Sequence, residues 1–330
     1  MPSATVYFAT NRNKVDTTDL SQRFGTTLMP PADASSVTYA RAFVDGIDLA
    51  DEDSGVITSI DNLTQSRFAD GDVADIGASG RNLLIFIHGF DNSFSDAIKR
   101  AAFNRVWFAA SGIAAADCTM LAFTWPSLGQ AISFPFIERD YDTDQLNAGL
   151  SGAAVVAFLQ QLEPIIATAR AAGKRVFLLA HSMGNHVLSA TVEQWFANRL
   201  PGTMLFDEVF LAAADEDYDN MSIPTGSGLG RLRQLARRIS VLWSVNDVAM
   251  AASFVVNHIQ RLGYSGPEHL HDPSLFALTQ FRMVDAGQVN DFPLTAFDAS
   301  HQYYRRSPKV RGDIAVTMAG SIQGGGFFTL

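Results

Sequence analysis

Apolar positions change their spacing once along this chain. In the first 80 residues or so they come in short runs rich in β-branched and aromatic side chains. "TVYFAT" (Thr5–Thr10) and "SVTYARAFV" (Ser36–Val44) read as strands. Polar stretches such as "DEDSG" and "ADGDVADIGASG" read as loops. From residue 82 apolar runs without alternation take turns with segments of helical spacing. "NLLIFIHGF", "CTMLAFTW", "RVFLLAH", "DEVFLAAA", "ISVLWSV" and "QFRMVDAG" read as strands. Between them lie helical patterns. These are "SFSDAIKRAAFNRVWFAAS" with Ser95 as N-cap, one long helix from about Thr143 to Ala172, and "MGNHVLSATVEQWFANR". The short "RLRQLARR", then "DVAMAASFVVNHIQRL" and the closing "PKVRGDIAVTMAG" complete the set. Unbroken apolar strands belong to a parallel sheet with both faces covered. The expected fold class is therefore α/β, a mostly parallel central sheet with helices on both faces and a β-rich N-terminal extension. One domain over residues 1–330 accounts for the pattern. The terminal "GGGFF" reads as a loose tail or a final turn.

Composition narrows the function classes. The 330 residues are 47% hydrophobic and 18% charged, with a formal net charge of −10. That is ample material for a core, and the acidity argues against a nucleic-acid surface. A single cysteine, Cys118, precludes an intramolecular disulfide and fits a reducing compartment. The start "MPSATVYFATNRNK" has no basic segment leading into an apolar one. The longest apolar stretches read as well short of a membrane span. A cytoplasmic protein without a membrane span is expected; a homo-oligomer is compatible with the sequence.

The chemistry centres on "VFLLAHSMGNHVL" (Val176–Leu188). Ligand sites in parallel sheets sit at the carboxyl ends of the strands, and Ser182 stands at one. "AHSMG" matches small-x-Ser-x-Gly, in which a sharp strand-to-helix turn holds a nucleophilic serine in the open. Ala180 stands where such turns usually carry a first glycine. A serine hydroxyl needs a base, and the base an acid to orient it. Chain order asks for serine, acid, histidine. Downstream, His258 reads as an ordinary helix residue. His269 and His271 lie in the polar loop "EHLHDP" without a third metal ligand. His301, in "FDASHQYY", follows the last strand and is the expected base. Asp247, at the end of "VLWSVND", is the expected acid; Asp215, Glu216, Asp217 and Asp219 in "AAADEDYDN" compete with it. The backbone N–H groups of Met183 and Phe90 are the expected oxyanion donors, with Gly89 allowing close approach.

With these residues in order, the chain resembles the α/β-hydrolase superfamily, and within it the group known as domain of unknown function 900. The resembling stretches are "VYFATNR", "IFIHGFDNSF", "FTWPS", "YDTD", "LLAHSMGNHVL", "LAAADED", "VLWSVNDVAM" and "ASHQYY". The resemblance implies an α/β-hydrolase fold, a triad of Ser182, Asp247 and His301, and ester hydrolysis.

The expected function is a serine hydrolase for carboxylic esters of short to medium acyl chains, acting through an acyl-enzyme on a small-molecule substrate. Neither cofactor nor metal is required. Amidase, thioesterase or acyltransferase chemistry on the same triad, or a non-catalytic binding module, are the rival readings. Substrate contacts are expected from His88, Gly89 and His181. Phe134 and Phe136 join them from a cover over Pro126–Asp142 that could act as a small lid. The run "GSGLGR" follows no strand, which sets aside a dinucleotide-binding turn.

Overall fold

The computed structural model describes residues 1–30, 36–128, 137–222, 228–293, 299–320 and 324–330. The strands are β1 (Ala4–Thr10), β2 (Arg12–Lys14), β3 (Phe24–Leu28), β4 (Thr38–Asp45), β5 (Val56–Gln65), β6 (Leu83–Ile87), β7 (Thr119–Thr124), β8 (Val176–His181), β9 (Glu208–Ala212), β10 (Ile239–Trp243), β11 (Phe281–Asp285) and β12 (Gly326–Thr329). The helices are α1 (Asp70–Ala78), α2 (Phe94–Ala109), α3 (Ile137–Leu150), α4 (Gly152–Ala171), α5 (Gly184–Ala197), α6 (Val248–Asn257), α7 (Leu262–Ser265), α8 (Tyr303–Arg306) and α9 (Pro308–Ala319).

Among the described residues one sheet runs in the order β12-β11-β10-β9-β8-β6-β7-β1-β4-β5, and β2 pairs with β3 apart from it. From β12 to β1 every neighbouring pair is parallel. Only the pairs β1–β4 and β4–β5, at the far edge, are antiparallel, β4 being the reversed strand. Strands β1, β4 and β5 of the N-terminal region thus lengthen the main sheet. β6 shows why its sequence lacks alternation: Leu83, Ile85 and Ile87 face one core layer, Leu84 and Phe86 the other. The first layer takes in Ile76 of α1, Val155 and Leu159 of α4 and Val187 of α5. The second takes in Ile98 of α2 and Ile314 of α9.

Several expectations are corrected. The long helix expected over 143–172 is two helices that part at Ser151. A Cβ on Gly152 would lie 2.8 Å from the Ala190 backbone, so this glycine lets α4 start against α5. The α2 N-cap is Ser93, not Ser95. Its hydroxyl accepts from Asp96 N while the Asp96 carboxylate accepts from Ser93 N, a reciprocal capping box. "ADGDVADIG" is largely helix α1, and "RLRQ" is the end of a 3-10 helix. The helix expected through Leu262 stops at His258, which takes a left-handed φ of 57°. The C-terminal tail is strand β12, paired in parallel with β11. Helix α4 is also long and apolar enough to cross a membrane, which the interrupting Gln160, Gln161 and Glu163 conceal in the sequence; 56% of its apolar window is buried inside the protein.

Candidate active site

The carboxyl ends of β6, β8, β9, β10 and β11 bring the expected residues to one edge. Ser182 follows β8 directly and has φ 54°, the left-handed region that costs a non-glycine residue roughly 1–2 kcal/mol. Its carbonyl accepts from Asn185 N (3.0 Å), Asn185 Nδ2 (3.0 Å) and Asp215 N (3.1 Å), and its N–H donates to Ala212 O (3.0 Å). These bonds hold the strained turn in place. A Cβ on Gly184 would sit 2.6 Å from both Ile87 O and His88 O, so only glycine lets α5 descend beside β6. Ala180 is fully buried, and its carbonyl accepts from Asn185 Nδ2.

Asp247 caps α6: Oδ1 accepts from Met250 N at 3.0 Å. Oδ2 lies 2.8 Å from His301 Nδ1. The carboxylate is fully buried and the imidazole is 8% exposed. Beneath them Tyr303 ties two strand ends together, its hydroxyl donating to Leu242 O (2.8 Å) and accepting from Ala213 N (3.0 Å). Burial, then the Asp247 charge, raises the Tyr303 pKa and keeps the phenol neutral.

Three of the four competing acids are engaged elsewhere. Asp215 is buried and accepts from Tyr141 Oη (2.9 Å), Ser253 Oγ (2.5 Å) and Arg261 Nε (2.9 Å). Asp217 pairs with the same guanidinium. Glu216 Oε2 lies 3.0 Å from His186 Nδ1. Burial opposes the His186 cation, but Glu216 outweighs it and raises the pKa. His258 and His269 are exposed, and the His271 ring packs on Phe327.

The loop after β6 lies over the serine. A Cβ on Gly89 would fall 2.6 Å from Ser182 Cβ and 3.2 Å from Ser182 Oγ. Among the described residues neither Phe90 N–H nor Met183 N–H has an acceptor. Met183 is the N-cap residue of α5 and gives it no side-chain cap, so the positive end of that helix lies beside the serine. The Phe90 ring packs on Tyr141 at 5.8 Å.

Two expected contact residues face inward. His88 is buried, with Nδ1 2.9 Å from Gly89 O and Nε2 accepting from Trp125 N at 3.1 Å. His181 is buried against the rings of His301 and Tyr304, both at 4.6 Å, and its Nε2 lies 3.2 Å from His301 O. Burial pushes both pKa values well down, so both rings are neutral. Phe134, Phe136 and the rest of 129–136 in the expected cover lie outside the described residues; its last part, from Ile137, begins α3.

Sequence reading missed a set of polar residues behind this edge. Arg12 is fully buried and reaches Thr124 Oγ1 (2.9 Å), Gly25 O (2.9 Å), Ser127 O (3.2 Å) and Asn92 O (2.7 Å). Burial lowers its pKa to about 9. Asp144 accepts from Ser127 Oγ, Leu128 N (3.0 Å) and Asp91 N (3.3 Å), and burial raises its pKa to about 6. The available signal was polar residues in "FTWPS", at the end of β7, and in "YDTD", inside α3.

Among solved structures, two similar chains are a phospholipase and an esterase. The phospholipase PlaB from Legionella pneumophila, solved in complex with thio-NAD, is 13% identical with a TM-score of 0.27. The match covers 67% of this chain and 40% of that one, so this chain spans well under half the phospholipase's length. Carboxyl esterase 2 from the fungus Tuber melanosporum is 11% identical with a TM-score of 0.29, covering 96% of this chain and 79% of that one. No curated protein matches the sequence. The family described as alpha/beta hydrolase of unknown function, DUF900, matches residues 72–319. That span runs from α1 to the end of α9 and holds every candidate triad residue, and the chain belongs to this family of α/β hydrolases.

Proposed function

We propose that the protein is a serine hydrolase of carboxylic esters, with Ser182 as nucleophile, His301 as base and Asp247 as the acid that orients it. The observation that carries this reading is the 2.8 Å contact between Asp247 Oδ2 and His301 Nδ1 at the strand edge that bears a left-handed Ser182. With Nδ1–H donated to the carboxylate, the other ring nitrogen is left to take the serine proton. The serine oxygen adds to the acyl carbonyl, and the oxyanion is held by the N–H groups of Phe90 and Met183. His301 then passes its proton to the departing alcohol. Water, deprotonated by His301, releases the acid and restores the serine. In this reading His88 and His181 act as neutral supports of the site, not as substrate contacts.

Ester, thioester and amide share this acyl-enzyme chemistry, so matched substrates with one acyl group assign the leaving group. The reading itself is tested by ester turnover of wild type and Ser182→Ala. A fall of roughly 10³-fold or more is expected, with residual catalysis from the oxyanion donors. Undiminished turnover in the variant contradicts it.

A further inference from the structure

We propose that Asn92 is a positioning residue which, together with His88, aims the Phe90 N–H at the reacting oxygen. The inference rests on the hydrolase reading above and adds to it the device that orients one oxyanion donor.

The argument starts from the peptide unit joining Gly89 and Phe90. In a trans planar peptide the carbonyl oxygen and the amide hydrogen point in opposite directions. Whatever fixes Gly89 O therefore fixes the direction of Phe90 N–H. Gly89 O has two side-chain partners, His88 Nδ1 at 2.9 Å and Asn92 Nδ2 at 3.0 Å. The His88 tautomer is decided by its other nitrogen. Nε2 accepts from Trp125 N at 3.1 Å, so the proton is on Nδ1 and Nδ1 donates. The imidazole cannot turn away. It stacks on the Trp125 indole at 5.1 Å and 3°, and that indole donates Nε1–H to His88 O at 2.8 Å.

Asn92 grips the next peptide as well, with Nδ2 2.6 Å from Phe90 O. One amide nitrogen thus uses both hydrogens on consecutive carbonyls, and the two peptide planes flanking Phe90 are set together. The opposite amide orientation would place Oδ1 against two carbonyl oxygens, so the assignment is forced. It has a cost: Oδ1 is buried with no partner among the described residues. A buried acceptor left unpaired costs about 1–3 kcal/mol, and its persistence calls for a reason. Aiming the loop supplies one. The residue is itself held firmly, donating its N–H to Ser127 Oγ (3.1 Å) and accepting from Arg12 at its carbonyl (2.7 Å). Asn92 is fully buried and acts on the reaction only through the loop.

The test compares wild type, Asn92→Ala and the isosteric Asn92→Asp. A p-nitrophenyl ester and a phenylboronic acid, which forms a tetrahedral adduct on an active serine, serve as probes. Wild type is first shown to turn over the ester and to take a fluorophosphonate on Ser182. For Asn92→Ala, kcat is expected to fall about 10²-fold with KM nearly unchanged, and boronic acid affinity to fall in parallel, as for loss of one oxyanion donor. For Asn92→Asp, activity relative to wild type should rise as pH is lowered, because only the protonated carboxyl can donate to Gly89 O or Phe90 O. A purely structural role would not produce that profile. Should Asn92→Ala fail to fold, the Asn92→Asp profile decides. Wild-type kcat in folded Asn92→Ala, or a pH-independent ratio for Asn92→Asp, overturns the positioning role and leaves the hydrolase reading standing. A wild type that neither labels nor turns over removes both.

Discussion

Asp247 and His301, 54 residues apart in sequence, meet through Oδ2 and Nδ1 at 2.8 Å, while the other Asp247 oxygen caps α6. One carboxylate thus serves the imidazole and the helix. The two duties separate by substitution. Asparagine caps helices as well as aspartate does, so Asp247→Asn should leave Tm nearly unchanged while ester turnover falls about 10⁴-fold. Asp247→Ala should show the same activity loss and a further cost of about 1 kcal/mol in urea denaturation. Equal activity of Asp247→Asn and wild type would remove the aspartate from the reaction.

Asp215 makes the contrasting prediction. It and Arg261 form a buried pair with 2% and 1% side-chain exposure. Arg261→Met leaves that carboxylate unpaired, a loss of about 3–5 kcal/mol. Asp215→Asn also destabilises, yet well below its unfolding temperature it should keep wild-type labelling by a fluorophosphonate. Loss of labelling in folded Asp215→Asn would move the acid to the end of β9.

Gly89 tests the closeness of the oxyanion loop to the serine. Its added Cβ would meet Ser182 Cβ at 2.6 Å and His181 O at 3.0 Å, so loop and turn must separate. Gly89→Ala is expected to lower kcat by about 10²-fold or more through the misplaced Phe90 N–H. Its stability cost should be about 1–3 kcal/mol, as for overpacking. Steady-state kinetics beside thermal denaturation measure both. Unchanged kcat would place the oxyanion donors elsewhere.

Asp144 sets a pH dependence of stability. Burial raises its folded pKa to about 6, above the value near 4 of an unfolded chain. The folded state therefore binds the proton more readily. The stabilisation this confers is fully present below about pH 4 and is lost as pH rises through about 6. Two pH units correspond to at most about 3 kcal/mol. Urea denaturation of wild type and Asp144→Asn at pH 4.5 and 7.5 should show wild type losing ground to the variant at the higher pH. A constant difference would mean that Asp144 does not titrate in this range.

The parallel strands were legible because burial on both faces leaves a one-dimensional mark, an unbroken apolar run. So was the candidate nucleophile, because a serine that must adopt positive φ beside a crossing helix needs small neighbours such as Gly184. What escaped the sequence depends on distant partners. The break at Ser151 follows from the Ala190 backbone against Gly152, and β12 exists because β11 offers it an edge. Arg12 lies 80 residues from Asn92, whose carbonyl it holds. Asn92 itself reads as a loop residue until its two carbonyl partners are seen.

The central claim is an activated Ser182, and intact-mass spectrometry after fluorophosphonate treatment tests it most directly. Wild type should gain one adduct, mapped to Ser182, and both Ser182→Ala and His301→Ala should lose it while remaining folded. A folded wild type that takes no adduct, or takes it on another residue, would contradict the account.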